Sequence, residues 1–259
     1  MIQTLNRHVK WREDKSSIFI CDCKRLIDLK ISFEYREFMK KLLLGVDKNK
    51  INKKEKKVFS DFEKMKLLSE LRVEQLKEKD FQDAMDILDN ELGMKRVRDS
   101  LYLFKKFKEF HQFFIGVYLD DEIIGIVCGF PREDYLLMSE IAVDSRFQKR
   151  RFGERLVKKF EEVAKKNKFN KINVGARDNA IGFYADMGYK PFLLIQFIKK
   201  DYDIKDFKDF KIIKFNNKFI EAEISNASLE NIKKLSKDYP DANFQYIFTK
   251  KIKYSKRQK

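Results

Sequence analysis

The sequence predicts an α/β fold, an α+β arrangement on one mixed sheet, and three observations predict it. From Leu71 onward, segments of strand period and helix period alternate in the order β-αα-βββ-αβαβ. The apolar run Leu136–Val143 passes through a basic loop into a stretch with Phe152, Leu156, Phe160 and Val163 on one helical face. A second strand-like run, KINVGA, follows that helix and completes a strand–helix–strand piece.

Three regions are read along the chain: 1–68, 69–200 and 201–259. In the first, HVKWRE and SSIFICD are short strands joined by a polar DKSS turn. RLIDLKI is a third strand, with Leu26, Asp28 and Lys30 opposite Arg25, Ile27, Leu29 and Ile31. FEYREFMKKLLLG reads as a helix with Tyr35, Phe38, Met39, Leu42 and Leu43 inward, closed by Gly45. A lysine-rich link leads to a second helix, on which Val58, Phe62 and Met65 share a face. The region is thus a small βββα(α) unit.

In the second region LRVEQL is a strand, and Phe81, Met85, Leu88 and Leu92 line a helix. Residues 97–107 continue helically, and HQFFIGVYLD and DEIIGIVCGF form a hairpin turning at Asp120 and Asp121. The strand to 143, the helix after the loop, KINVGA, a helix over 178–187 and PFLLIQFI complete the order. The last region reads as ββαβ: FKIIKF and FIEAEIS about an Asn-Asn turn, a helix marked by Leu229, Ile232 and Leu235, and the strand NFQYIFTKKI. This extension is expected at the far edge of the sheet or in a dimer contact. The terminal KIKYSKRQK is a basic tail.

At 259 residues the chain is long enough for a large core, and its formal net charge is +16. That charge suits an anionic ligand or partner, a phosphorylated cofactor or RNA, and equally a solvated lysine-rich surface. Cys21, Cys23 and Cys128 make no disulfide framework, and with His8 and His111 they assemble no zinc set, so no metal is expected. No apolar run reaches the ~18 residues of a membrane span, and MIQTLNRHVKWRE is no signal peptide. A cytoplasmic protein without membrane association is expected.

The loop can hold a pyrophosphate. The first amides of the following helix lack intrahelical acceptors, and the macrodipole is positive there. Gln148, Lys149, Arg150 and Arg151 add donors and charge, and Gly153 allows close approach to the backbone.

This stretch resembles the acetyl-CoA motif of the GNAT N-acetyltransferases, Q/R-x-x-G-x-G/A. Gln148 and Gly153 take its first and last positions, and Arg151 stands at the first glycine. Downstream, ARDNAIGFYADMGYKPF is similar to the family's segment A-R-x-x-A-x-x-F-Y-x-x-x-G-F/Y. The resemblance implies a GNAT fold and acetyl-CoA, or a longer acyl-CoA, as co-substrate. It places the pyrophosphate over Gln148, Lys149, Arg150, Arg151, Phe152, Gly153 and Glu154. The pantetheine and the oxyanion would meet the backbone of Ile141, Ala142 and Val143, where residues 139–143 splay from Lys171–Gly175. Arg177 and Asn179 complete the implied cofactor set, although Arg177 can also simply cap the next helix.

Tyr184 falls on the family's tyrosine, which implies a general acid for the departing thiolate; core packing with Ile181 is the alternative. Glu140 stands on the central strand where many relatives carry an acid, which makes it the candidate base. Glu133 and Asp134 are rivals, and water alone is a third possibility.

The layout of residues 1–68 resembles the PqqD-like domain, the RiPP recognition element that docks the leader of a precursor peptide. That resemblance implies a peptide adding as a strand at the edge formed by residues 25–31. A structural cap or a homodimer contact is the alternative. The lysines from Lys48 to Lys57 leave nucleic acid open as a partner.

Three functions stay in view. One is N-acyl transfer from CoA to an amine of a peptide or protein. A second is a CoA-binding or RNA-associated protein without turnover, which Arg151 at a glycine position would suit. A third is a small-amine acetyltransferase whose extra regions are structural.

Overall fold

The structure, a computed structural model, describes residues 1–93, 100–198, 211–215, 219–225 and 229–252. The chain begins with β1 (Ile2–Leu5), β2 (Val9–Glu13), β3 (Ser17–Asp22) and β4 (Ile27–Ser32). Next come α1 (Arg36–Leu44), the short β5 (Val46–Asp47), α2 (Lys53–Lys64) and β6 (Leu68–Gln75). Helices α3 (Phe81–Leu92) and α4 (Ser100–Phe110) lead to β7 (Phe114–Leu119), β8 (Glu122–Pro131) and β9 (Leu136–Val143). Then follow α5 (Phe152–Lys166), β10 (Lys171–Gly175), α6 (Ile181–Asp186) and β11 (Lys190–Ile198). The last elements are β12 (Lys211–Phe215), β13 (Phe219–Ser225), α7 (Leu229–Asp238) and β14 (Asn243–Lys251).

Two compact units divide these elements. One takes Met1–Cys128 with Glu140–Phe160, the other Gly129–Ser139 with Glu161–Lys259. Strands β8 and β9 and helix α5 therefore carry residues of both.

In the first unit the strand order is β5, β1, β6, β7, β8, antiparallel at each of these pairings. Strands β2, β3 and β4 form a separate antiparallel sheet. The expected βββα(α) elements of the first region are all present. The sequence reading overlooked β1, which pairs with β6 in the register Ile2↔Leu71 to Leu5↔Leu68. The four-residue IQTL is too short for a clear period, and only its partner strand identifies it.

The helices of this region form where their apolar stripes demand. Phe38, Met39 and Leu42 of α1 and Val58, Phe59 and Phe62 of α2 join Leu5, Ile18 and Ile20 in one core. Burying one such phenylalanine contributes roughly 2–3 kcal/mol. Met65, expected inward, is 39% exposed because α2 ends at Lys64. Asn52 and Glu55 start α2 with reciprocal side-chain-to-backbone bonds, a capping box. Gly45 ends α1 at φ 91°, where a Cβ would sit 2.8 Å from Leu71 Cδ2. The β7–β8 hairpin turns at Asp120, φ 53°, as the Asp-Asp pair predicts.

In the second unit the order is β12, β13, β11, β14, β10, β9. Among the described residues of this unit, β9 and β10 alone run parallel, paired from Leu136↔Ile172 to Met138↔Val174, which makes the sheet mixed. The sequence places the whole ββαβ extension, β14 included, either at the far edge of the sheet or in a dimer contact. Strand β14 lies instead between β10 and β11, antiparallel to both. Chain order alone does not reveal this, because an antiparallel strand can be inserted wherever two neighbours leave a gap. Strands β12 and β13 do occupy the edge. The Asn-Asn turn, residues 94–99 and the basic tail beyond Ile252 lie outside the described residues.

Among the described residues no helix is long and apolar enough to cross a membrane, and no His/Cys/Asp/Glu cluster could hold a metal.

Candidate cofactor loop and catalytic residues

The loop after β9 begins with a one-turn 3-10 helix, Ser145–Phe147, capped by Asp144, whose side chain accepts from Arg146 N. Arg146 Nε bonds the same carboxylate at 3.0 Å and holds it below the usual aspartate range. Phe147 is buried and plugs the loop onto the core, with the guanidinium carbons of Arg146 and Arg150 5.5 and 5.7 Å from its ring centre.

Gln148 is held on both sides: its Nε2 donates to Val143 O and to Glu91 Oε2, each at 3.0 Å. Glu91 Oε1 also accepts Ser145 N at 2.8 Å. Nothing in the sequence marks Glu91, at the end of α3, as part of this loop; the fold brings it there.

Lys149 and Arg151 both take left-handed backbone, at φ 62° and 59°. This conformation costs a residue with a Cβ about 1 kcal/mol and is natural to glycine. Arg151 thus stands at the motif's glycine position in the conformation that glycine would adopt. Its side chain is largely exposed, with Nε 3.4 Å from Glu154 Oε1.

Arg150 points inward. Burial lowers its pKa from the usual arginine value, and its Nη1 is buried with no hydrogen-bond partner among the described residues. An unpaired donor on a partly desolvated cation is costly unless an anion reaches it.

Helix α5 then starts. Arg155 N closes its first turn on Arg151 O at 3.2 Å. The amides of Phe152, Gly153 and Glu154 have no intrahelical acceptor. Phe152, Leu156 and Phe160 are buried as their spacing predicts, while Val163 is half-buried.

Left-handed turns, free helix-start amides and the orphaned Arg150 donor fit a pyrophosphate. The preceding strand residues Ile141 and Val143 are half-buried and Ala142 is buried. Gly125 on β8 lets this strand end approach, since a Cβ there would lie 2.9 Å from Ala142 O. Glu140 is half-buried, with Cys128 Sγ 4.0 Å from its Oε2. Glu133 and Asp134 are exposed, and Asp134 accepts Lys171 Nζ at 2.7 Å.

The remaining expected residues belong to the second unit. Arg177 and Asn179 are exposed, and Arg177 O accepts Ala180 N at 2.9 Å in a one-turn 3-10 helix ahead of α6. Tyr184 is 3% exposed and packs against Phe183, Tyr189 and Phe248 at ring-centre distances of 5.2, 5.8 and 5.7 Å. Burial pushes its phenol up to about 12, so it holds its proton through the neutral range.

Residues 73–189 match the acetyltransferase (GNAT) family. None of the curated proteins matches. Among solved structures, Ard1 from Thermoplasma volcanium is 15% identical, over 61% of this chain and 99% of that one, with a TM-score of 0.43. The ribosomal-protein-S18-alanine N-acetyltransferase of Escherichia coli is 15% identical over 61% and 96%, with a TM-score of 0.41. An acetyltransferase-type protein from Pyrococcus horikoshii is 16% identical over 57% of this chain, which spans 53% of its length, with a TM-score of 0.42. The family match covers a little under half of the chain, and residues 73–189 are similar to the GNAT acetyltransferases over that span.

Proposed function

We propose that the chain transfers an acyl group, acetyl foremost, from CoA to an amine of a peptide or protein. The observation that carries this reading is the loop 148–154, where the inward Arg150 has a buried, unpaired Nη1 beside the start of α5. Acetyl-CoA would supply an activated acyl thioester. Arg150, the amides of Phe152, Gly153 and Glu154, and the cations Lys149 and Arg151 would hold its pyrophosphate, with Arg177 and Asn179 as further contacts. The backbone of Ile141, Ala142 and Val143 would take the pantetheine and polarise the carbonyl.

Two side chains would handle protons. Glu140 would take one from the attacking ammonium, so that a neutral amine reacts. Tyr184, protonated at neutral pH, would give one to the departing thiolate. Titrating acetyl-CoA into the full chain by calorimetry tests the reading: micromolar binding that Arg150→Met weakens supports it. Absence of binding by acetyl-CoA and by longer acyl-CoA would overturn it.

Peptide recruitment by residues 1–68 belongs to the same proposal. Strand β4 ends its sheet, and Ile27, Leu29 and Ile31 alternate with exposed Asp28 and Lys30. That is the pattern an added strand would read, main chain by hydrogen bonds and side chains by alternate pockets. A leader-bearing precursor peptide acting in the cytoplasm is the substrate this favours.

A further inference from the structure

Arg155 is absent from the residues that the motif assigns, yet its side chain is the best anchored in the first turn of α5. Its Nη2 donates to Leu44 O at 2.8 Å and to Gly45 O at 3.1 Å. Those carbonyls close α1, where the helix leaves its last acceptors free and its dipole is negative. Burial lowers the pKa of the guanidinium, so α1 supplies the compensation that water does not.

The contact depends on Gly45. A Cβ there would lie 3.0 Å from Arg155 Nη2, and φ 91° already excludes most side chains. The backbone of Arg155 faces the loop at the same time, since its amide bonds the carbonyl of left-handed Arg151. One residue therefore joins the end of α1 to the turn from which the pyrophosphate amides project.

We infer that Arg155 is a positioning residue for the cofactor loop, and that the N-terminal region fastens this loop from behind through the end of α1. The inference rests on the CoA reading for its consequence, though not for its geometry. Helix start and loop are held before any ligand arrives, which lowers the ordering cost of binding. The N-terminal region then supports the cofactor site from behind, in addition to its proposed peptide docking.

The test uses the full chain with coenzyme A itself as probe. Arg155→Met keeps length and helix propensity but removes both bonds. It should weaken coenzyme A about tenfold, the worth of one charged hydrogen bond. Without ligand, it should also speed hydrogen exchange at the amides of residues 152–156. Arg155→Lys, able to reach one carbonyl, should recover part of both effects, and it serves alone if the Met variant does not fold. Unchanged exchange at 152–156 in a folded variant would overturn the inference, as would unchanged coenzyme A affinity beside a wild type that binds. A wild type that binds no coenzyme A would instead sink the cofactor reading, and the exchange measurement would still decide the role of Arg155.

Discussion

Gln148 and Glu91 are joined at 3.0 Å, so the first residue of the proposed phosphate loop is fixed by a carboxylate from the end of α3. A carboxylate beside a diphosphate site is electrostatically unfavourable. Its two hydrogen bonds with the loop, one on Oε1 and one on Oε2, add order that offsets this loss. The Glu91 carboxylate takes Ser145 N and Gln148 Nε2, and bonds to an ionised group contribute about 1.5–3 kcal/mol each. Repulsion across solvent is screened within a Debye length of about 8–10 Å.

Glu91→Ala should accordingly weaken acetyl-CoA about five- to tenfold at physiological salt, an effect of order 1–1.4 kcal/mol. At low salt the loss should shrink, because relief of repulsion then counts for more. Calorimetry at two salt concentrations checks this. Tighter binding by the variant at both would show that charge outweighs order.

The two central arginines of the loop should behave differently. Arg151→Gly should keep acetyl-CoA affinity within about threefold, since the backbone already has the glycine conformation and the exposed guanidinium is screened. Arg150→Met should lose tenfold or more, because its desolvated donor has only the ligand to answer it. Equal losses would mean that net charge, rather than geometry, holds the pyrophosphate.

Tyr184→Phe should lower kcat by about 10–100-fold while changing acetyl-CoA affinity little, as removal of a general acid does. An unchanged kcat would return Tyr184 to the packing role that its neighbours Phe183, Tyr189 and Phe248 already give it.

The same phenol carries a stability prediction. Its folded value of about 12 exceeds the ordinary 10.0. Below pH 10 both folded and unfolded chains keep the proton, and stability does not depend on it. Between 10 and 12 the unfolded chain releases it first, so stability falls as pH rises. Tyr184→Phe should lose less than wild type across that window, by about 2 kcal/mol. Denaturant melts at pH 9 and pH 12 measure the difference, and parallel losses would mean that the phenol is not desolvated.

Deleting residues 1–68 cannot isolate peptide docking, because β1 pairs with β6 and Arg155 bonds the end of α1. A proline scan of Asp28, Leu29 and Lys30 in β4 can. On an antiparallel edge strand, successive N–H groups alternate between the partner strand and the open side. Proline on the open side should leave the fold intact and raise KM for a leader-bearing peptide, with no effect on a free small amine. Equal effects on both substrates would make this region purely structural.

The sequence by itself determined the order of elements, since period, caps and turn residues are local. The strand 136–143, the basic loop and the apolar face Phe152–Leu156–Phe160 follow from spacing, and Gly45 and the Asp-Asp turn from backbone preference. The candidate cofactor loop was legible too, because Gln148 and Gly153 lie five residues apart in one short stretch of chain. Tertiary structure decided what depends on partners remote in sequence. Strand β1 is recognisable only beside β6, and the place of β14 between β10 and β11 appears only in the fold, because a strand's neighbours are set by hydrogen bonds that close on folding. Only the fold gave Arg151 a glycine's conformation, and left Arg150 with a buried donor that no described residue answers. It alone brought Glu91 and the end of α1 to the loop, since a side chain's burial and its distant partners are properties of packing rather than of local spacing.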